Sequence, residues 1–400
     1  MAATLSPWRD AVAHLQSASP LIQPSGLPDA VNAAVRAVGA DMSIYLADPE
    51  QRTLRALPEP PRPAPAPLAI DTTVAGRAFQ VAKPLVQGRS SRLWLPLLDG
   101  ADRLGVLAVR LRGSLTPDDP GVQEGCRIFA GCVGQLVVRM TGCGDTFPRT
   151  CRSRPMTTAA ELLRRMLPPM TFATHRMVIS GVLEPCYEAG GDAFDYAVDD
   201  DVARLAVLDA IGHGLGAGLT AAVTLGAMRA ARACGLPLPA VAAAVDNELV
   251  GHFGDLRFVT GVLAELDVDS GTLHYVNAGH PPPILLRRGK AVGTLRYGRR
   301  LPLGLQDSGV RPARLVLEPG DRVLFYTDGA VEARDPDGNL FGVRRLVDLA
   351  ERHSAGGRPA PEALRRLSHA VLDHQKGEAQ DDTTLMLVEW VPGARGRITR

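Results

Sequence analysis

The aspartates of the C-terminal half restrict the possible folds of this chain most, because they stand at the ends of apolar segments of strand length. The apolar residues 205–208 run directly into Asp209, and residues 323–326 are followed two positions later by Asp328. A third apolar segment, residues 385–388, follows an acidic pair instead of preceding one. An acid at the end of a hydrophobic strand is poorly placed for packing. Beside glycine, which lets the backbone approach closely, it is well placed to hold a hard cation.

Four such acidic islands occur along the sequence, and each has two interpretations. Taken alone, an island is an ordinary acid at a strand-to-turn junction. Taken together and in this order, the four predict a site for Mg²⁺ or Mn²⁺, because carboxylate oxygens are the ligands that these ions prefer. The islands are Gly190-Gly191-Asp192, Asp209-Ala210-Ile211-Gly212-His213-Gly214, Tyr326-Thr327-Asp328-Gly329 and Gln380-Asp381-Asp382-Thr383.

The islands and the motifs between them resemble the serine/threonine phosphatases of the PPM (PP2C-like) superfamily, in the bacterial branch typified by SpoIIE and RsbU. The resemblance covers about residues 170–390. One departure is Ala210-Ile211, where the branch more often has Val-Ser, yet an alanine still supplies a backbone carbonyl. The matching segments are Glu188-Ala189-Gly190-Gly191-Asp192-Ala193-Phe194-Asp195, Asp209-x-x-Gly212-His213-Gly214, Phe258-Val259-Thr260, Asn277-Ala278-Gly279-His280-Pro281-Pro282, Leu303-Gly304-Leu305, Thr327-Asp328-Gly329 with Glu332-Ala333, and Asp381-Asp382-Thr383.

The resemblance implies an α+β protein whose C-terminal domain, residues 171–390, is a PP2C-like α-β-β-α sandwich with a metal site at one edge. It further implies two Mn²⁺ or Mg²⁺ ions, which activate a water for the hydrolysis of phosphoserine or phosphothreonine. In this family pattern Asp209 bridges the two ions, and Asp328 and Asp381 complete one of them. Asp192 and the backbone carbonyl of Ala210 serve the other ion. The four aspartates are therefore the expected catalytic residues.

The resemblance also implies a class of substrate. The usual substrate in this branch is an anti-sigma-factor antagonist of the STAS type, whose dephosphorylation releases a sigma factor in stress or developmental signalling. The alternative is a catalytically inactive scaffold, or a ligand-sensing regulator, that binds the same partner. All four acids are present in this chain, which favours the enzyme.

Several polar residues beside the four aspartates also have two interpretations each. Glu188 and Asp195 flank the first island and are predicted to be solvated more than to support the metal ligands. The side chain of Asp382 is predicted to point away from the site, because a strand follows it. His213 and His280 stand in glycine-containing loops, where a hydrogen bond that fixes the loop is favoured over donation of a proton to the leaving serine oxygen.

Residues 26–142 form a separate region with the pattern of a GAF-like α/β domain. Strand-like segments are predicted at 42–46, 93–98 and 103–111, and a closing helix is predicted over about residues 118–140. The resemblance to GAF domains implies a sensor for a small-molecule ligand or a module that forms a homodimer. A degenerate domain that only dimerises is the alternative.

The segment 143–170 is predicted to be a linker that ends in a short helix. Thr158-Ala159-Ala160-Glu161 fits a capping box, and the apolar positions 162, 163, 166 and 167 form a stripe before Pro168-Pro169 ends the helix. This helix is predicted to be either a spacer that packs on the next domain or a gating helix that controls the metal site.

Composition excludes several classes of function. The 44 Lys and Arg residues against 43 Asp and Glu leave a formal net charge of +1, which argues against bulk electrostatic binding of nucleic acid. No stretch approaches the ~20 continuous apolar residues of a membrane span, and the first residues lack the pattern of a secretory signal. We therefore expect a cytoplasmic protein that binds neither nucleic acid nor membrane. The 6 cysteines include no C-x-x-C pair and are predicted to be unpaired thiols.

Overall fold

A computed structural model of the chain describes residues 2–59, 63–88, 92–113, 115–188, 190–254, 257–307, 309–376 and 381–392. The chain forms two compact units that divide between Arg154 and Pro155. The division lies inside the segment 143–170, so the predicted linker is shared between the two units. The domain limits 26–142 and 171–390 stay predictions. In the described ranges, no helix has the length and apolar content that a membrane crossing requires.

The N-terminal unit is built on one antiparallel six-stranded sheet, called sheet A. Its strands are β1 (Ala40–Ala47), β2 (Thr53–Ala56), β3 (Leu68–Ala69), β4 (Leu85–Gln87), β5 (Arg92–Asp99) and β6 (Asp102–Leu111). They lie in the order β3-β2-β1-β6-β5-β4. The strands β1, β5 and β6 contain the three strand-like segments of the sequence analysis, because those segments combine β-branched and leucine residues with turn residues at their ends.

Helices cover both faces of sheet A. They are α1 (Ala2–Ala18), α2 (Leu27–Val35), α3 (Val74–Val81), α4 (Pro120–Thr141) and α5 (Thr146–Cys151). One face carries the larger core, in which Trp8 of α1 stands edge-on to Phe129 of α4 with ring centroids 6.3 Å apart. The opposite face packs on Phe79 of α3. The expected α/β domain is therefore present, it also includes a helix ahead of residue 26, and its membership of the GAF family stays a prediction.

The C-terminal unit contains two six-stranded sheets. Sheet B has the order β15-β12-β11-β10-β9, with β16 beside β12, and sheet C has the order β14-β13-β17-β18-β8-β7. The strands of sheet B are β9 (Asp192–Asp199), β10 (Val202–Ala210), β11 (Val259–Asp267), β12 (Thr272–Ala278), β15 (Arg299–Arg300) and β16 (Ala313–Val316). The strands of sheet C are β7 (Thr171–Ala173), β8 (Met177–Glu184), β13 (Ile284–Arg287), β14 (Lys290–Thr294), β17 (Arg322–Tyr326) and β18 (Thr383–Trp390).

The two sheets pack face to face, with helices outside each of them. The helices are α6 (Thr158–Met166), α7 (Gly214–Ala233), α8 (Leu238–Phe253), α9 (Gly329–Glu332), α10 (Gly342–Ala355) and α11 (Ala360–His374). Successive side chains of β10 point to opposite faces of sheet B: Val207 is buried between the sheets, whereas Leu208 is buried against α7 and α8. On the far side, Leu324 of β17 packs towards α10 and α11. The predicted α-β-β-α sandwich is confirmed.

The helix α6 belongs to the C-terminal unit and packs on α7. Its Leu163 is fully buried in the core between sheet B and these helices. The predicted capping box is wrong by one residue: the N-cap is Thr157, whose Oγ1 accepts a hydrogen bond of 3.2 Å from the N–H of Ala160. Thr158 is the first helical residue instead. The sequence pattern located the helix correctly but could not separate two adjacent threonines, since either hydroxyl suits an N-cap.

Candidate active site

Strand alternation carries two of the four aspartates into the layer between sheets B and C. Leu205 and Val207 of β10 are buried in that layer, and side chains two residues apart share one face of a strand, so Asp209 faces the same way. Asp192 at the start of β9 is the cross-strand partner of Asp209. Directly opposed side chains have their Cβ atoms about 5 Å apart. The apolar layer therefore ends in a pair of adjacent carboxylates.

The other two aspartates come from sheet C. Asp328 lies two residues after the end of β17, and Asp381 lies two residues before β18. These two strands are antiparallel neighbours, so the end of one lies beside the start of the other. The charges of both aspartates act on Asp209 of sheet B. The structure thus gathers all four predicted residues at one end of the sandwich.

The hydroxyl of Thr327 connects the two sheets at this end. It donates a hydrogen bond of 2.7 Å to Oδ2 of Asp192 and accepts one of 2.9 Å from the N–H of Thr384. Thr327 is 0% exposed and Asp192 is 2% exposed, so this contact is shielded from water. Asp192 is therefore held from both sheets, which restricts its carboxylate to one orientation.

The four aspartates form a cluster of like charges. Burial and the nearby charges of Asp328 and Asp381 raise the pKa of Asp209 from 3.8 to about 7. Burial, with the charges of Asp209 and Asp382, raises the pKa of Asp192 well above its usual value. Partial burial raises the pKa of Asp381 too, although it is the most exposed of the four. The pKa values of all three are raised for the same reason: each carboxylate loses contact with water and lies near other carboxylates, and both effects disfavour the charged form.

No basic side chain of the described ranges forms an ion pair with these four aspartates, whereas other buried acids of the same unit have such partners. Asp246 is paired with Arg300 at 2.6 Å and Asp321 with Arg287 at 2.7 Å. A buried carboxylate needs either a cationic partner or a metal ion. The contrast with Asp246 and Asp321 indicates that the cluster is suited to bind cations from solution.

The donor set fits Mg²⁺ or Mn²⁺ held with water. Among the described residues, no group of three or more Asp, Glu, His or Cys side chains stands close enough together to hold a metal ion by itself. These ions do not require such a group, since they keep several waters and use only one or two carboxylates each. Asp209 is the cross-strand partner of Asp192, and the charges of Asp328 and Asp381 act on it. A carboxylate that lies near acids of both sheets is the arrangement that a two-ion site needs.

The backbone of Ala210 lies directly beside the glycine turn that carries Asp192. Its N–H donates a hydrogen bond of 3.1 Å to the carbonyl of Gly191. A Cβ at Gly191 would stand 2.7 Å from the carbonyl oxygen of Ala210, which is closer than such contacts occur. Glycine is therefore required at 191 for this close approach. The carbonyl of Ala210 therefore lies beside the turn of Asp192, and its role as a ligand stays a prediction.

Thr260 and His280 form a polar pair behind Asp209. Thr260 is the cross-strand partner of Asp209 on β11, and its Oγ1 lies 3.4 Å from Oδ2 of Asp209 and 2.9 Å from Nδ1 of His280. The N–H of His280 donates to Oδ1 of Asn277 at 2.8 Å. Burial lowers the pKa of His280 to about 4, so its ring is neutral at physiological pH. A buried neutral histidine in these contacts fixes its loop and supports Thr260, as the sequence analysis favours.

Two predictions for neighbouring acids are wrong. Asp195 is not solvated: it is 1% exposed and accepts hydrogen bonds of 2.7 and 2.6 Å from Arg229 and Arg232 of α7. Asp195 lies three residues after Asp192, so alternation turns it to the opposite face of β9, towards the helices. The side chain of Asp382 does not point away, but lies against the backbone of the first acidic island. Glu188 is exposed, in agreement with its prediction.

The remaining residues to locate are His213 and two threonines, Thr260 and Thr327. His213 is exposed and makes no side-chain bond to the N-terminus of α7, which it precedes, so the predicted loop-fixing bond applies to His280 only. The roles of Thr260 and Thr327 were not predicted. Alternation places Thr260 on the face of Val262 and Thr327 on the face of Phe325, and this signal was available in the sequence. Their partners are distant in sequence, and no local pattern identifies them.

Comparisons with known proteins agree with this assignment of the C-terminal unit. Residues 199–391 match the model of the SpoIIE family, described as Stage II sporulation protein E. Protein IcfG of Synechocystis sp. is 25% identical over 239 residues, which cover 52% of this chain and 37% of that protein. Phosphoserine phosphatase RsbU of Bacillus subtilis is 24% identical over 231 residues, which cover 58% of this chain and 68% of that protein.

A solved structure of the RsbU and RsbW domains of Rv1364c from Mycobacterium tuberculosis is also similar. It is 29% identical, with a TM-score of 0.48, over 54% of this chain and 62% of that one. The chain spans little more than a third of the length of IcfG. The similarities to IcfG and RsbU therefore concern a domain and not the whole of each protein.

Proposed function

We propose that this chain, whose residues 199–391 form a SpoIIE-family domain, is a metal-dependent protein phosphatase that hydrolyses phosphoserine or phosphothreonine. The observation that supports the proposal most is the cluster of Asp192, Asp209, Asp328 and Asp381 at one end of the sandwich. The pKa values of Asp192, Asp209 and Asp381 are raised, and no basic side chain in the described ranges forms an ion pair with the cluster. Buried carboxylates that repel one another destabilise the fold unless a cation is bound. Such a cluster therefore favours a function that depends on bound cations.

Two Mn²⁺ or Mg²⁺ ions are the proposed cofactors, with Asp209 between them. Asp328 and Asp381 would hold one ion, and Asp192 and the carbonyl of Ala210 would hold the other. When bound, such ions lower the pKa of a water and neutralise charge on the phosphoryl oxygens. The protein keeps Asp192 oriented through Thr327 and supports Asp209 through Thr260. Both contacts limit side-chain motion, which favours a fixed site for the phosphate.

The proposed substrate is a phosphorylated anti-sigma-factor antagonist of the STAS type, in a stress or developmental signalling pathway. The similarity to RsbU, a phosphoserine phosphatase, supports the phosphoserine class. We further propose that the N-terminal unit is a GAF-like domain that binds a small-molecule ligand or forms a homodimer, and that the protein acts in the cytoplasm. Phosphoproteomics of cells with and without the gene tests the substrate: a STAS protein that gains phosphate in the deletion strain is expected, and unchanged STAS phosphorylation would contradict it.

A gating role for α6 is proposed because the helix is fastened to the elements that carry the site. Leu163 is buried against α7, and Arg229 of α7 donates to the carbonyl of Met166 at 2.6 Å and to Asp195 of β9 at 2.7 Å. Since Asp195 lies on the strand that begins with Asp192, a shift of α6 would act on that strand through Arg229. The packing of Leu163 is expected for a spacer as well, so the bonds of Arg229 to both α6 and β9 are what favour the gating role.

Purified protein with p-nitrophenyl phosphate and Mn²⁺ separates the enzyme from the alternative, an inactive scaffold. Turnover that is lost in Asp209→Asn is expected for the phosphatase, because the amide removes a charged metal ligand. A protein that binds Mn²⁺ and a phosphorylated partner yet shows no turnover would support the scaffold instead.

A further inference from the structure

The side chain of Asp382 holds the turn that carries Asp192. Its Oδ2 accepts three hydrogen bonds from consecutive backbone N–H groups, from Gly190 at 2.7 Å, from Gly191 at 2.6 Å and from Asp192 at 3.3 Å. Successive N–H groups that converge on one anionic oxygen form an anion-binding concavity of the backbone. Bonds to an ionised acceptor are shorter and stronger than neutral ones. In this unit the anion that fills the concavity is supplied by the chain itself.

The side chains of the adjacent residues Asp381 and Asp382 point to opposite sides of the chain, which explains why they have different neighbours. Asp382 shares its side of the chain with Met386 of β18, which is buried between the sheets, so it faces sheet B. Asp381 lies on the opposite side of the chain, and its charge acts on Asp209 more strongly than the charge of Asp382 does. Oδ1 of Asp381 also accepts a hydrogen bond of 2.9 Å from the N–H of Asp382.

The backbone of Asp382 reaches a second acidic island. A Cβ at Gly329 would stand 1.9 Å from the carbonyl oxygen of Asp382, so the two backbones are in direct contact. Gly329 directly follows Asp328. Asp382 therefore touches the turn of Asp192 with its side chain, the turn of Asp328 with its carbonyl, and Asp381 with its N–H. From the fourth acidic island, Asp382 thus contacts the first and the third.

We propose that Asp382 is a positioning residue that fixes Asp192 and its glycine turn for the metal ions, and is not itself a metal ligand. This inference rests on the proposed function, since it concerns the same ions. The required property of the side chain is an acceptor oxygen in this place. Asparagine keeps such an oxygen and alanine does not, so the two substitutions separate positioning from ligation.

The experiment measures Mn²⁺ binding by isothermal titration calorimetry on the full chain, without any substrate. Asp382→Ala is expected to weaken Mn²⁺ binding by about 10- to 100-fold, the usual effect of removing a residue that orients a metal ligand. Asp382→Asn is expected to stay within about threefold of the wild type, because its Oδ1 can accept the same backbone bonds. The control is the neighbouring pair Asp381→Ala and Asp381→Asn, both of which should lose affinity, because an amide does not replace a charged ligand.

The outcomes separate a failure of the proposed function from a failure of the positioning role of Asp382. No Mn²⁺ binding by the wild type would contradict the proposed function itself. Binding by the wild type with equal losses in Asp382→Ala and Asp382→Asn would leave the proposed function intact and overturn the positioning role in favour of ligation. Unchanged binding in Asp382→Ala would overturn it as well. If the alanine variant does not fold, Asp382→Asn alone decides, since a tenfold loss there contradicts the inference.

Discussion

Replacing Asp209 by asparagine should stabilise the metal-free protein. Its pKa is raised from 3.8 to about 7 in the folded state, so the unfolded chain gives up this proton more readily than the folded one. The destabilisation is absent below the unfolded pKa, grows as the pH rises, and is complete above the folded pKa of about 7. A shift of about three units corresponds to about 4 kcal/mol, which screening at this partly exposed carboxylate reduces to on the order of 2 kcal/mol.

The assay is thermal unfolding of wild type and Asp209→Asn, at a pH above neutrality, in chelator and in saturating Mn²⁺. In chelator the variant should melt about 5 °C higher, since 1 kcal/mol moves the Tm of a domain this size by about 2–4 °C. Mn²⁺ should reverse the order, because a ligand at 100 times its Kd adds about 2.7 kcal/mol to the form that binds it.

The matched control for this prediction is Asp246→Asn. Asp246 is equally an acid of the C-terminal unit, but it is paired with Arg300, and both side chains are buried. Breaking a buried pair from one side should destabilise the protein by about 3–5 kcal/mol, with and without Mn²⁺. An Asp209→Asn variant that melts lower than the wild type in chelator, as Asp246→Asn should, would refute the view that Asp209 is an uncompensated charge.

Substitutions at three further positions test the surroundings of the site. Thr260→Val should raise the Mn²⁺ concentration for half-maximal activity by about tenfold, the lower end for residues that orient metal ligands, while Thr260→Ser restores it; equal effects of both would contradict a role for the hydroxyl. Gly191→Ala should lower activity strongly with the domain still folded by circular dichroism, because its Cβ would meet the carbonyl of Ala210 at 2.7 Å, and normal activity would show that the turn can shift. Leu163→Ala should lower the stability of the C-terminal unit by about 2–4 kcal/mol in urea unfolding, and a neutral result would mean that α6 is not part of this core.

The resemblance to the PPM superfamily predicts the sandwich, whereas short local patterns predict the strands and turns that carry the aspartates. An apolar run followed within a few residues by an acid and a glycine identifies a strand and its turn together, as at Asp209 and Asp328. The helix α7 (Gly214–Ala233) and the strand β12 (Thr272–Ala278) begin or end beside glycine or turn residues, so their limits coincide with local signals in the sequence.

The same patterns fail where a side chain finds a partner far along the chain. Asp195 meets Arg229 and Arg232 only because α7 packs on β9, and nothing near residue 195 indicates those arginines. Asp382 accepts bonds from a turn 190 to 192 residues away, a pairing that exists only once the two sheets face each other. Alternation would have given the direction of both side chains, but not the identity of what they contact.

The most direct test of the account measures phosphate release from a phosphothreonine peptide by the purified full chain as Mn²⁺ is titrated. We expect no turnover in chelator, a rise with Mn²⁺, reversal by chelator, and loss of turnover in Asp328→Asn even at saturating metal, because a metal ligand is missing. Equal turnover in chelator and in Mn²⁺ would contradict the claim that the four aspartates act by holding divalent cations.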